Sequence, residues 1–213
     1  MAAEIVTVSG THPDPSPVAR AAEHLAAGHL VIYPTDTLYA IGGRALDGGA
    51  VRAVRSAKGR EEEKPLPVIA ADLEQARSLC AAWPPEAEAL ASRFWPGPLT
   101  LILGAAAAVP AELTAGTGTI AVRVPALEVA RALCRAAGPL VSTSANLAGE
   151  APGVTCAEAV AAVGASAALA LDGGAARGEP STLVDLTVRP VRIVRPGAVP
   201  WSAIEGVLPS RGR

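Results

Sequence analysis

The segment Val141-Ser142-Thr143-Ser144-Ala145-Asn146 puts three hydroxyls and a carboxamide after the apolar run Gly138-Pro139-Leu140-Val141, which reads as a buried strand. Short, directed donors and acceptors at a strand end lie where α/β sheets usually bind ligands. Two other clusters have the same character, Tyr33-Pro34-Thr35-Asp36-Thr37 and Pro180-Ser181-Thr182. The stretch Lys58-Gly59-Arg60, followed by Lys64, adds fixed positive charge. Hydroxyls, one amide and several cations together predict a pocket for an anionic, oxygen-rich small molecule. Each piece alone has a plainer reading. Glu61-Glu62-Glu63 turns the basic stretch into a mixed-charge loop that water would solvate. Ser142 to Ser144 could bond a helix N-terminus, and Arg123 could pair with a structural carboxylate.

The elements that must hold these groups follow from periodicity and punctuation. Strands are expected over 4–8, 29–33, 38–41, 66–70, 99–103, 119–124, 140–142, 167–171, 182–186 and 191–194. Helices are expected over 18–27, 48–57, 73–79, 85–94, 127–137, 156–163 and 201–207, with Asp47, Asp72 and Thr155 as caps. Residues 12–17 read as a proline-rich turn, and Trp95-Pro96-Gly97-Pro98 as a rigid corner. Asp185 reads as a backbone-orienting side chain. Helices and strands alternate with short connections, which predicts α/β: a single domain, a twisted open mixed sheet flanked by helices. The domain is expected over 1–208, with 209–213 as a disordered tail.

Composition narrows the function classes. The chain has 213 residues, 50% hydrophobic and only 3% aromatic. That supports a Val/Leu/Ile/Ala core and argues against a module that stacks bases on aromatic rings. A net charge of −2 gives no whole-molecule attraction to nucleic acid or to an anionic membrane, although a local basic groove is compatible with it. Cys80, Cys134 and Cys156 form no C-x-x-C pair and read as buried thiols in a reducing compartment. No signal-like N-terminus and no membrane-spanning apolar run is present, so a soluble, cytoplasmic chain is expected.

Several motifs mislead or are absent. Gly116-Thr117-Gly118-Thr119-Ile120-Ala121 matches a dinucleotide pattern but leads into a strand, so no helix N-terminus is offered to a pyrophosphate, and a turn is the better account. No phosphate loop ending in Gly-Lys-Ser/Thr occurs, and no nucleophile elbow. His12, His24 and His29 have no metal-site spacing, and no protein-held metal is expected.

In order along the chain stand Tyr33-Pro34-Thr35-Asp36-Thr37-Leu38-Tyr39, Lys58-Gly59-Arg60 with Lys64-Pro65-Leu66, and Trp95-Pro96-Gly97-Pro98-Leu99-Thr100. Arg123-Val124-Pro125, Ser142-Thr143-Ser144-Ala145-Asn146, Pro180-Ser181-Thr182-Leu183-Val184-Asp185 and Arg195-Pro196-Gly197 follow. This order resembles the YrdC family of threonylcarbamoyl-AMP synthases, over nearly the whole chain, in its short single-domain form. The resemblance implies a YrdC-like fold and a nucleotidyltransferase joining L-threonine, bicarbonate and ATP into threonylcarbamoyl-AMP and pyrophosphate, for tRNA threonylcarbamoyladenosine modification. It implies Lys58 and Arg60 as catalytic and phosphate- or carbamate-contacting residues. Thr35 and Arg123 are implied for threonine, with phosphate as the alternative for Arg123. Ser144, Asn146, Ser181 and Arg195, with Lys58 and Arg60, are implied for the nucleotide. Mg2+ is expected with ATP, held mainly by phosphate oxygens and water.

Ala40 follows Tyr39 where the family commonly has glycine, which requires a backbone there without positive φ. The sister branch typified by YciO shares that tyrosine-alanine pair but tends to lack the K-x-R and S-x-N pairs present here. Competing readings are a YciO-like relative of uncertain activity, a double-stranded RNA or tRNA-binding module, and an assembly role among tRNA-modification proteins.

Overall fold

Leu30-Val31-Ile32-Tyr33 is apolar on both faces of its pleat, so its strand has to be covered on both sides. The computed structural model, which describes residues 3–59 and 64–208, meets that demand. Its elements are β1 (Glu4–Thr7), α1 (Pro15–Ala26), β2 (Leu30–Pro34), β3 (Tyr39–Gly42), α2 (Gly48–Ala57), β4 (Pro67–Ile69), α3 (Leu73–Ser78), α4 (Pro85–Phe94), β5 (Leu99–Gly104), α5 (Ala111–Thr114), β6 (Thr119–Arg123), α6 (Glu128–Ala137), β7 (Leu140–Val141), β8 (Thr143–Ser144), α7 (Cys156–Val163), β9 (Ala167–Asp172), β10 (Thr182–Asp185), β11 (Arg192–Arg195) and α8 (Trp201–Glu205).

The mixed α/β class is as expected, but the strands divide between two sheets instead of joining one. A five-stranded sheet has the order β1-β9-β2-β3-β8, and a six-stranded sheet the order β11-β10-β5-β6-β4-β7. Both mix parallel and antiparallel pairs. Two apolar cores result. On β2, Leu30 and Ile32 join the larger core, while Val31 and Tyr33 join the smaller one against α1 and α6. The smaller core takes Val18, Ala21 and Leu25 from α1, and Val129, Leu133 and Cys134 from α6. Both sets are spaced for one helix face.

Local chemistry sets the helix ends. Asp47 accepts from the Gly49 and Ala50 amides at 2.8 and 3.2 Å and starts α2. Asp72 accepts from Gln75 N at 2.8 Å and starts α3. Thr155 and Glu158 form a reciprocal capping box at α7. The proline-rich segment 12–17 is only partly a turn: Pro15 and Pro17 lie in the first turn of α1, where a missing N–H loses no helical bond.

The strand expected over 140–142 is the largest local departure. β7 pairs antiparallel with β4 in the six-stranded sheet. At Ser142, whose N–H donates to Pro67 O at 2.8 Å, the chain changes sheet. β8 then pairs with β3 in the five-stranded sheet, Ala40 opposite Ser144 and Ile41 opposite Thr143. The serine-threonine-serine run is therefore the link between the two sheets. Ala40 sits within a regular strand ladder, and Ala115 is the only non-glycine with positive φ among the described residues, so Ala40 needs no glycine. Gly116 and Gly118 take positive φ and turn the chain into β6, the role expected of that glycine pair. The tail 209–213 lies outside the described residues.

Candidate active site

One face of the six-stranded sheet is core and the other is cavity, because side chains alternate along each strand. On β5, Leu99, Leu101 and Leu103 are buried in the larger core, while Thr100 and Ile102 line a cavity of about 770 Å³. On β6, Ile120 and Val122 are core, and Thr119, Ala121 and Arg123 line the cavity. Leu183 of β10 and Arg195 of β11 complete this floor. The opposite wall comes from the β2–β3 turn, from β3 and β8, and from the segment after β8.

Lys58, at the C-terminus of α2, holds that wall together. Its ammonium donates to Ser144 O at 2.6 Å, Asn146 O at 2.7 Å and Asn146 Oδ1 at 3.1 Å, and the residue is 4% exposed. Its own carbonyl accepts from Ala148 N at 3.0 Å. The Asn146 carboxamide is used at both ends, since Nδ2 donates to Leu147 O and Glu150 O. Ser142, Thr143 and Ser144 all line the cavity, and the Ser144 hydroxyl is one of the groups of this segment available to a ligand. Lys58 supplies charge at the wall, and direct contact with an anion requires it to exchange one of its protein acceptors.

The turn at 34–38 is organised by Thr35. Its hydroxyl donates to Leu38 O at 2.7 Å and accepts from the amides of Thr37 and Leu38 at 3.2 Å each. Thr35 is buried and wholly engaged in the turn. Thr37, a member of the same polar cluster to which no site role was assigned, carries the outward connection. Its hydroxyl is 2.9 Å from Thr35 Oγ1 and accepts from Arg123 at 2.9 Å, and its carbonyl accepts from Gly178 N at 2.8 Å. Thr37 could have been suspected from its alternation with Thr35, but its partner on β6 could not.

Arg123 ties wall to floor. It donates to Gly97 O at 2.9 Å, to Thr37 and to the Asp36 carboxylate, with both charged side chains nearly buried. Burial pushes its guanidinium below the ordinary value, the Asp36 charge opposes that, and the nearby Arg195 lowers it further. The plainer expectation for Arg123, pairing with a carboxylate, is what the geometry contains; its two remaining N–H donors are those not committed to protein. The Trp95-to-Pro98 corner presents the Gly97 carbonyl, and a Cβ on Gly97 would stand 2.3 Å from Phe94 O.

At the other end of the floor, Arg195 donates to Ser181 O at 3.0 Å and to Ser181 Oγ at 3.1 Å. Leu183 lies in the row between the two arginines, and with Ile102 and Ala121, paired across β5 and β6 in the next row, and the exposed Val194 it forms the apolar part of the floor. Tyr39, also in the wall, donates to Gly174 O at 2.7 Å and accepts from Gly173 N at 3.1 Å, which pins the segment after β9. Asp185 does not line the cavity; it accepts from Thr187 N and Oγ1, orienting the β10–β11 connection as expected.

Thus Thr35, Lys58, Arg123, Ser144, Asn146, Ser181 and Arg195 line one cavity. Arg60 lies outside the described residues. The arrangement suits a ligand with two anionic groups and an apolar flat part. Among the described residues no group of three or more His, Cys, Asp or Glu side chains is placed to hold a metal, and no helix is long and apolar enough to cross a membrane.

Comparison with known proteins gives this cavity its setting. The family model Sua5_yciO_yrdC, described as telomere recombination, matches residues 23–197. A threonylcarbamoyl-AMP synthase of Pyrococcus abyssi is 43% identical over 191 residues, 88% of this chain and 56% of that protein. The structure of P. abyssi Sua5 complexed with L-threonine superposes with a TM-score of 0.92 at 38% identity, over 95% of this chain and 60% of the other. E. coli YciO superposes with a TM-score of 0.87 at 26% identity, over 95% of this chain and 99% of the other. The chain spans a little over half the length of the Pyrococcus synthase sequence and of the chain in the Pyrococcus structure. With the ordered motifs gathered around one cationic cavity and a family model running through nearly all of them, the chain belongs to the Sua5/YciO/YrdC family.

Proposed function

We propose that this chain is an L-threonylcarbamoyladenylate synthase, a nucleotidyltransferase whose product serves tRNA threonylcarbamoyladenosine modification. The observation that carries the reading is the Lys58 ammonium seated on Ser144 and Asn146, with two arginines across the cavity. Lys58 of the K-x-R pair thereby meets Ser144 and Asn146 of the S-x-N pair at one wall, and the YciO branch tends to lack both pairs. The chemistry needs such a site. The neutral amine of L-threonine combines with bicarbonate to give a carbamate and water. A carbamate oxygen then attacks the α-phosphorus of ATP, the bond from that phosphorus to the bridging oxygen breaks, and pyrophosphate leaves with the electron pair.

Two anions have to approach, so fixed cations offset their repulsion and the charge on the departing pyrophosphate. Lys58 contributes charge from the wall. Arg195 and Ser181 face the nucleotide phosphates, and Ile102, Ala121 and Leu183 take the apolar base. Ser144 donates toward the reacting oxygens. Arg123, neutralised by Asp36, offers directed N–H groups to the threonine carboxylate more than net charge, and Thr35 shapes the turn around that amino acid. No covalent enzyme intermediate is needed, and positioning supplies much of the rate. The donor set of hydroxyls, amides and cations fits a Mg2+ held by nucleotide phosphates and water, where it would neutralise phosphate charge.

The test is pyrophosphate release from ATP by the purified protein. Release should require L-threonine and bicarbonate together. Folded protein that releases none, or the same amount without threonine, ends this reading.

A further inference from the structure

Four cations line the cavity, and they are not alike. Lys58 spends its ammonium on three protein oxygens, Arg123 is paired with Asp36, and Arg195 donates to Ser181. Lys64 is exposed, and among the described residues its ammonium has no acceptor. Its main chain, by contrast, is fixed. Arg55, buried on α2, donates to Lys64 O at 2.9 Å and to Glu112 O at 2.8 Å. Leu66 N donates to Leu113 O at 3.1 Å. A clamped backbone thus carries an uncommitted cation at the cavity.

Strand register says which end of the cavity that is. Leu183 pairs with Thr100 and with Arg195, and Leu101 pairs with Val122, so Arg195, Leu183, Thr100 and Arg123 form one row across the floor. Pro67 of β4 pairs with Ala121 of β6 in parallel, and upstream of that pair Lys64, Pro65 and Thr119 line the cavity. Thr119 precedes Arg123 by four strand residues, roughly 13 Å. Lys64 therefore stands at the opposite end of the cavity from the arginine row. The attacking and leaving oxygens of a phosphoryl transfer lie roughly in line. With the threonine carbamate held at Arg123, the leaving pyrophosphate points away from that row, along β4 and β6, toward Lys64. The apolar floor of β5 and β10 is left to the base.

We infer that Lys64 is a further substrate-contacting residue: its ammonium takes the β- and γ-phosphates of ATP and the charge that develops on the departing pyrophosphate. The inference rests on the proposed synthase reading. Its test is calorimetric titration of ATP, inorganic pyrophosphate and AMP into the folded wild type, Lys64→Met and Lys64→Arg. Lys64→Met should weaken ATP and pyrophosphate about tenfold each, equivalent to ~1.4 kcal/mol, and leave AMP within about twofold of wild type. Lys64→Arg, which keeps the charge, should bind ATP within about threefold. Lys64→Met binding ATP like wild type would overturn the inference. So would AMP weakened as much as ATP, or a failure of Lys64→Arg to restore binding. Should Lys64→Met not fold, Lys64→Gln takes its place with the same outcomes. A wild type that binds no ATP, or that releases no pyrophosphate with threonine and bicarbonate, removes the synthase reading and this inference with it. An active wild type beside an unimpaired Lys64→Met removes this inference alone.

Discussion

The floor and the wall of the cavity are built in different ways. On the floor, Thr100, Arg123, Leu183 and Arg195 stand where strand pairing puts them, one row across four strands. In the wall, the groups sit on turns, and side chains hold the turns in place. Thr35 closes 34–38 through its own hydroxyl, and Lys58 closes 144–146 with three bonds. A floor residue can lose its polar atom while the ladder keeps its neighbours in place. A wall residue takes the local backbone with it. The Arg123–Asp36 pair joins the two, with the cation on the floor and the anion in the wall.

The comparison breaks most visibly at Lys58. Lys58→Met takes one donor from three oxygens and removes the ammonium seated on 144–146. We expect turnover to fall by a factor on the order of 10²–10³ and stability by about 3 kcal/mol, measured by pyrophosphate release and urea unfolding. Normal stability with lost turnover would mean that the wall holds itself. Asp36→Asn comes next. It leaves the Arg123 charge buried without its counterion and should cost about 3 kcal/mol, with little relief from added salt because the pair is buried. Arg195→Lys, on the floor, should raise KM for ATP about tenfold by losing the forked contact with Ser181, with unfolding within about 0.5 kcal/mol of wild type. A large stability loss there would erase the distinction between floor and wall.

Two smaller effects test the cores behind both surfaces. Burial raises the Cys80 and Cys156 thiols from 9.0 to about 11, and burial also raises the Tyr33 and Tyr39 hydroxyls. Groups raised on folding favour the native state fully below their unfolded values. That contribution is lost as pH rises, from pH 9 to about 11 for the two thiols, and the tyrosines extend the loss to higher pH. The melting temperature should therefore fall across that range. Cys134, fully buried and raised further, should resist a thiol reagent at pH 8 until the chain is unfolded.

Much of the scaffold was readable in advance for local reasons. Asp47, Asp72 and Thr155 cap the helices that their positions predict, since a cap acts within three residues. The candidate site was also legible as a set: the hydroxyl, amide and cation motifs meet in one cavity. Their individual duties were less legible. Thr35 looked like a ligand contact and spends its hydroxyl on its own turn. Thr37 and Thr100 stand in the motifs but carried no assigned role, because their partners, Arg123 and Ser181, lie 86 and 81 residues away.

By itself, then, the sequence determined the alternating elements, their capped ends, the two-faced burial of β2 and the chemical character of the site. Those features depend on periodicity and on groups a few residues apart. Only the tertiary structure decided that the strands form two sheets, that the chain crosses between them at Ser142, and which polar side chain faces a ligand and which holds a turn. The physical reason is that strand pairing and hydrogen-bond saturation join residues far apart in the chain, and no local pattern encodes the partner.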